Sequence, residues 1–132
     1  MIFDDLALTM IRWGYLINPS EYENFKTYLH GMLQKKRVML IWSKVGLEAI
    51  ILFHITNDYE TLYKKSLWHI PEDEPDGKQI YVDKMVCRQM DMPLRRAIQT
   101  SIESNFPNVG EGYYHRAPCD RLHRIYRRKV RV

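Results

Sequence analysis

Glycine is scarce in this chain. There are six in 132 residues, and none falls between Gly77 and Gly110. A glycine-rich phosphate loop is therefore excluded from the strand–turn–helix stretch "QIYVDKMVCRQMDMPLRRAIQTSIESNF", residues 79–106. Cysteine is scarcer still: Cys87 and Cys119 lie far apart and outside any Cys-x-x-Cys pattern. That excludes a disulfide scaffold, and no histidine stands at metal-site spacing from either, so no zinc site or other metal is expected. Both read as reduced, semi-buried thiols. No apolar run approaches the ~20 residues that cross a bilayer, and no membrane partner is expected. Asp4 and Asp5 stand where a signal peptide carries Lys or Arg, so the expectation is a soluble protein not exported by a cleaved signal.

Apolar residues are plentiful at 45%, enough for a core, and the length suits a single domain over residues 1–132. The net charge of +4 is unevenly spread. Arg116, Arg121, Arg124, Arg127, Arg128, Lys129 and Arg131 crowd the last twenty positions against Asp120 alone, which leaves the remainder slightly acidic.

Periodicity sets the element order. Leu6, Met10, Trp13 and Ile17 predict a helix over 3–17, weakened at Gly14. "NPSEYENFKTYLHGMLQKK" predicts a second, capped by Asn18, with Pro19 in its first turn and Tyr22, Phe25, Tyr28 or Leu29, and Met32 or Leu33 on its apolar face. "RVMLIWSK" and "LEAIILFHI" read as strands joined by a tight turn at Val45-Gly46. "TNDYETLYKKSLWHIPEDEPDG" opens as a short helix and closes as an acidic loop with a turn at Asp76-Gly77. A third strand, "KQIYVDKMVC", leads to a helix started by Pro93, capped at or near Asp91, with Leu94, Ala97, Ile98, Ser101 and Ile102 inward. "GYYHRA" and "HRIYRRKV" complete an α-α-β-β-β-α-β-β order. It predicts an α/β domain with one twisted mixed sheet of about five strands, in which a crossover helix delivers the fourth strand parallel to the third.

That order resembles the GCN5-related acetyltransferase (GNAT) fold. In that family an Arg/Gln-x-x-Gly-x-Gly/Ala turn and the following helix N-terminus cradle the pyrophosphate of coenzyme A. Here the same place reads Cys87-Arg88-Gln89-Met90-Asp91-Met92-Pro93-Leu94, without glycine. Any donor phosphate would fall to Arg88, Arg95 and Arg96. The chain also resembles toxin-activating lysine acyltransferases, which have a GNAT-like fold without the glycine loop and take their acyl group from an acyl carrier protein. "IWSKVGLEAIILFHI" is similar to their central hairpin, and "QIYVDKMV" to the strand that carries their catalytic aspartate, which places Asp83 there. Their catalytic histidine stands in a Pro-Leu-His-Arg context, and the similar stretch here is Thr9-Met10-Ile11-Arg12. Isoleucine is neither base nor nucleophile. The same fold resembles small GNAT-like bacteriophage proteins, some packaged in virions, which implies a cytoplasmic or virion-associated location.

Among single residues, Asp83 reads either as a proton-transfer partner or as an outward-facing strand residue paired with Lys84 or Lys78. His54, at the end of the second strand, is placed to meet Asp83 across the ladder as an acid–base pair. His115 and His123 fall in the basic end, where they can sense pH or touch phosphate. Strict alternation in "RLHRIYRRKVRV" puts Leu122, Arg124, Tyr126, Arg128 and Val130 on one face and Arg121, His123, Ile125, Arg127, Lys129 and Arg131 on the other. So charged a face exceeds what edge protection needs and points to nucleic acid or an acidic protein surface. The acidic "PEDEPDG" loop reads as solvated, or as a head-to-tail contact with a neighbour's basic end. The resulting expectation is a non-catalytic binding or structural module that works through its basic C-terminal hairpin among other protein subunits, without cofactor. The alternative is an acyltransferase fed by acyl-CoA or an acyl carrier protein.

Overall fold

The computed structural model describes residues 3–15, 17–60, 68, 70–72, 74, 76–116 and 121–128. The described elements are α1 (Phe3–Arg12), a 3-10 turn (Pro19–Glu21), α2 (Tyr22–Gln34), β1 (Val38–Ser43), β2 (Gly46–Thr56), β3 (Gln79–Cys87), α3 (Met92–Asn105), β4 (Glu111–Arg116) and β5 (Arg121–Arg127). The strands form one five-stranded sheet in sequence order. β1–β2, β2–β3 and β4–β5 are antiparallel, and β3–β4 is parallel across the α3 crossover, as the sequence predicts.

Helix ends follow local chemistry. α1 stops short of its predicted end at residue 17 because Gly14 takes φ +97. Gly14 N–H bonds Ile11 O and Tyr15 N–H bonds Met10 O, the two closures of a Schellman end. α2 ends the same way without glycine: Lys36 sits at φ 58, its N–H on Leu33 O and the Arg37 N–H on Met32 O. Asn18 caps the 3-10 turn by accepting from Ser20 N–H, one step before the helix proper. Asp91 caps α3 by accepting from Leu94 N–H at 2.9 Å, as predicted.

Two apolar layers sandwich the sheet. α3 sets Leu94, Ile98 and Ile102 against Ala49, Ile51, Phe53, Ile80 and Val82. On the other face α1 and α2 set Leu6, Met10, Phe25, Leu29 and Met32 against Ile50, Leu52 and Val86. β2 is buried along almost all its length, as a central strand covered on both faces requires.

Three ladder irregularities depart from the simple alternation of the sequence, the first in β2, where Ile41 faces Ala49 and Trp42 faces Leu47, so Glu48 is extra. The β1–β2 turn falls on Lys44-Val45, one position before the predicted one, and Gly46 opens β2 at φ +132. In β3, Leu52 faces Lys84 and Phe53 faces Val82, so Asp83 is the extra residue of a bulge. In β5, Gly112 faces Tyr126 and Tyr113 faces Arg124, so Ile125 is extra. The two-face reading of the last strand is therefore wrong: Ile125 and Tyr126, adjacent in sequence, are both buried in the α3 core. The helix predicted after Thr56 begins at Tyr59-Glu60, and its remainder lies outside the described residues. Gly77 closes a turn by donating to Glu74 O, and it is buried where a Cβ would stand 2.9 Å from the Thr56 backbone nitrogen.

Candidate functional site

The bulge at Asp83 turns two consecutive β3 residues, Asp83 and Lys84, toward the α1/α2 side of the sheet. There they meet Tyr28, which the middle of α2 buries beside Phe25 and Leu29. Tyr28 Oη donates to Asp83 Oδ2 at 2.5 Å and lies 3.2 Å from His54 Nε2. Lys84 Nζ donates to the same Asp83 oxygen at 3.0 Å. The ammonium also stands 5.2 Å from the Tyr28 ring centroid and 4.9 Å from that of Trp68. Trp68 is tied to α2's entry by a 2.6 Å bond from Nε1 to Glu21 Oε2.

Sequence reasoning placed His54 directly against Asp83. The register gives His54 Tyr81 as its partner instead, and Tyr28 stands between the histidine and the carboxylate. The outward-facing reading of Asp83 is likewise corrected. It pairs with Lys84, as one option foresaw, but inward, beneath the helices. Tyr28 was legible only as one member of an apolar helix face; its hydroxyl gave no separate signal.

This network is largely buried. Tyr28, His54 and Lys84 are buried, and the Asp83 side chain is 23% exposed. Burial, reinforced by the Asp83 charge, pushes the Tyr28 and Tyr15 hydroxyls well above the ordinary phenol range. Tyr28 is thereby held as a donor. Asp83 receives a neutral donor and a cation on one oxygen, which satisfies a part-buried carboxylate. Beyond it, burial raises Tyr81 to about 12. Tyr81 Oη lies 2.9 Å from His115 Nδ1, and Tyr59 stacks on the Tyr113 ring at 4.5 Å.

A second constellation lies on the opposite layer. A groove of about 790 Å³ runs between α3 and β5. Arg95, Arg96, Gln99 and Glu103 line its helix side, and Arg124, Arg127 and Arg128 its strand side. It unites two sets that the sequence kept apart, the helix arginines and the C-terminal arginines. Arg88 is outside that lining and stands 3.5 Å from Glu48 on β2, whereas Arg95 and Arg96 line the groove. Arg116 and Arg121 face each other at the far end of the β4–β5 ladder, with side chains outside the described residues, as are Lys129 and Arg131 altogether.

Arg128 is partly committed to the fold. Its guanidinium donates to Glu103 O and Phe106 O at the carbonyl end of α3 and to Val109 O in the loop beyond, and Nη1 lies 3.9 Å from Glu103 Oε1. Arg95, Arg96, Arg124 and Arg127 are exposed. A small pocket of about 50 Å³, lined by Met85, Met90, Arg95, Ile98, Tyr114 and Ile125, opens beyond Val82 and Tyr114, the last paired residues of β3 and β4. It is far below the roughly 300–1,000 Å³ of a small-molecule site.

Among the described residues no cluster of three or more metal-ligating side chains forms, and no helix is long and apolar enough to cross a membrane. Cys87 is free and half-buried, its thiol pushed up by burial, while Cys119 lies outside the described residues. Compared with protein-family models, curated proteins and solved structures, the chain matches none of them significantly.

Proposed function

We propose that this chain is a non-catalytic binding module with a GNAT-like frame, whose working surface is the arginine groove between α3 and β5. The observation that carries this reading is the convergence of five arginines from two distant segments on one groove, with Glu103 the one acid among its lining residues. Like charges so close repel unless a ligand neutralises them, so the fold holds a field suited to a polyanion. Arginine in place of lysine favours bidentate contacts with phosphate or carboxylate. The resemblance to small phage proteins gives the module a setting among other subunits of an assembly.

The alternative, an acyltransferase using Asp83 and His54 with acyl-CoA or an acyl carrier protein, has less support. Its residues are mostly buried, Arg88 is diverted to Glu48, and the pocket between β3 and β4 is small. Fluorescence anisotropy with labelled polyphosphate and labelled poly-glutamate at low salt tests the proposal. The native chain should bind at least one of them, and Arg95→Glu with Arg124→Glu should abolish it. Failure to bind either polyanion overturns the reading, and saturable binding of acyl-CoA by the native chain revives the alternative.

A further inference from the structure

The groove does more than concentrate charge, and its details discriminate between anionic partners. An acidic peptide would add to β5, the edge strand of the sheet, and extend its ladder. Here that route is interrupted at Ile125. Ile125 bulges out of register, and its carbonyl oxygen is already taken by Gln99 Nε2 at 3.2 Å from α3. Within the groove, partner contacts come from side chains, chiefly the arginines. The path is short: Arg96 to Glu103 spans about 10 Å of helix, and Arg124 to Arg128 about 13 Å of strand. At about 790 Å³ the groove admits a stretch of one strand of polymer.

The floor of the groove supplies a second, independent observation. Tyr126 lines it and is 4% exposed, and its hydroxyl is buried with no hydrogen-bond partner among the described residues. An orphaned buried hydroxyl is costly, and proteins retain few of them. An anionic oxygen settling between Arg124, Arg128 and Tyr126 would accept from it. No exposed aromatic ring lines the groove, so contacts would go to the backbone of a nucleic acid, not to its bases.

The geometry points to a single-stranded nucleic acid as the occupant, held by its phosphodiester backbone without sequence preference, with Tyr126 donating to a phosphate oxygen. This inference rests on the groove being a polyanion site. Its test is anisotropy of labelled twelve-nucleotide dT and dC strands, a twelve-base-pair duplex and poly-glutamate, each across a salt series.

The single strands should bind alike and more tightly than the other two ligands. With four exposed arginines engaged, log K should fall against log salt with a slope of about −3, and Arg124→Ala or Arg96→Ala should each flatten it by about 0.7. Tyr126→Phe should weaken strand binding about three- to ten-fold, while its thermal midpoint stays at or above the native one. Tighter binding of poly-glutamate, lost in Arg95→Glu, would overturn the nucleic-acid assignment and leave an acidic protein surface. Preference for duplex, or strand binding indifferent to Tyr126→Phe, would equally overturn it. If no ligand binds, the groove itself is not a polyanion site.

Discussion

Tyr28 on α2 donates its hydroxyl to Asp83 at the bulge of β3, joining residues 55 positions apart in the chain. The bond ties helix to sheet through a polar link inside an otherwise apolar layer. Its loss should be felt in stability. Tyr28→Phe removes the donor and leaves a part-buried carboxylate short of a partner, a cost of about 1–3 kcal/mol. Urea unfolding checks this, and an unchanged midpoint would show that the bond contributes nothing net.

The Asp83–Lys84 pair makes a sharper case because the ammonium is almost wholly buried. Removing one partner of a buried pair strands the other charge. Lys84→Met should therefore destabilise by about 2–4 kcal/mol, somewhat below the full range for buried pairs because Asp83 is partly exposed. Asp83→Asn in that background should recover part of the loss. A double-mutant cycle measures the coupling, and strictly additive losses would refute it.

Lys36 pays a local cost at the end of α2, where it holds φ 58 without being glycine. Lys36→Gly relieves the clash of a Cβ in the left-handed region and should raise stability by about 1 kcal/mol. A lowered thermal midpoint would mean that the Lys36 side chain contributes more than the backbone strain removes.

Groove arginines should divide by role. Arg128 holds the Glu103 and Phe106 carbonyls at the end of α3 and the Val109 carbonyl in the loop beyond, so Arg128→Ala should cost about 1–2 kcal/mol. Arg124 is exposed, with no hydrogen bond or ion pair of its own among those described, and Arg124→Ala should stay within about 0.5 kcal/mol. Chemical denaturation of both variants separates the fold-holding cation from the free one.

The sequence carried the element order, the parallel crossover and the Asp91 cap because each has a local signature: apolar period, strand spacing, a capping side chain before Pro93. It did not carry the bulges. An extra residue in a ladder leaves the composition of a strand unchanged, so alternation placed Ile125 on a basic face when it is buried, and Asp83 outside when it is inside. Nor did it show the two constellations. Tyr28, His54 and Asp83 meet through tertiary register alone, and Arg95 and Arg124 meet only because α3 lies over the last hairpin. Asp83, the one carboxylate of its strand, was the available hint, and it needed a polar helix residue as its counterpart.

His115 gives the chain a pH dependence whose sign is fixed. Burial lowers its folded-state pKa below the ordinary 6.5, so the unfolded chain binds that proton more readily. Its contribution to stability is present above pH 6.5 and is lost as pH falls through the folded value. The charged ring would also have to donate from Nδ1 toward Tyr81, whose own hydroxyl stays protonated until about pH 12 and must then rotate to accept. His115→Gln removes the titration and keeps an amide in reach of Tyr81. Urea midpoints of the native chain and the variant, compared from pH 7.5 to 5.5, should converge as the native chain loses more stability on acidification. A variant that loses as much or more would place the acid sensitivity on another histidine.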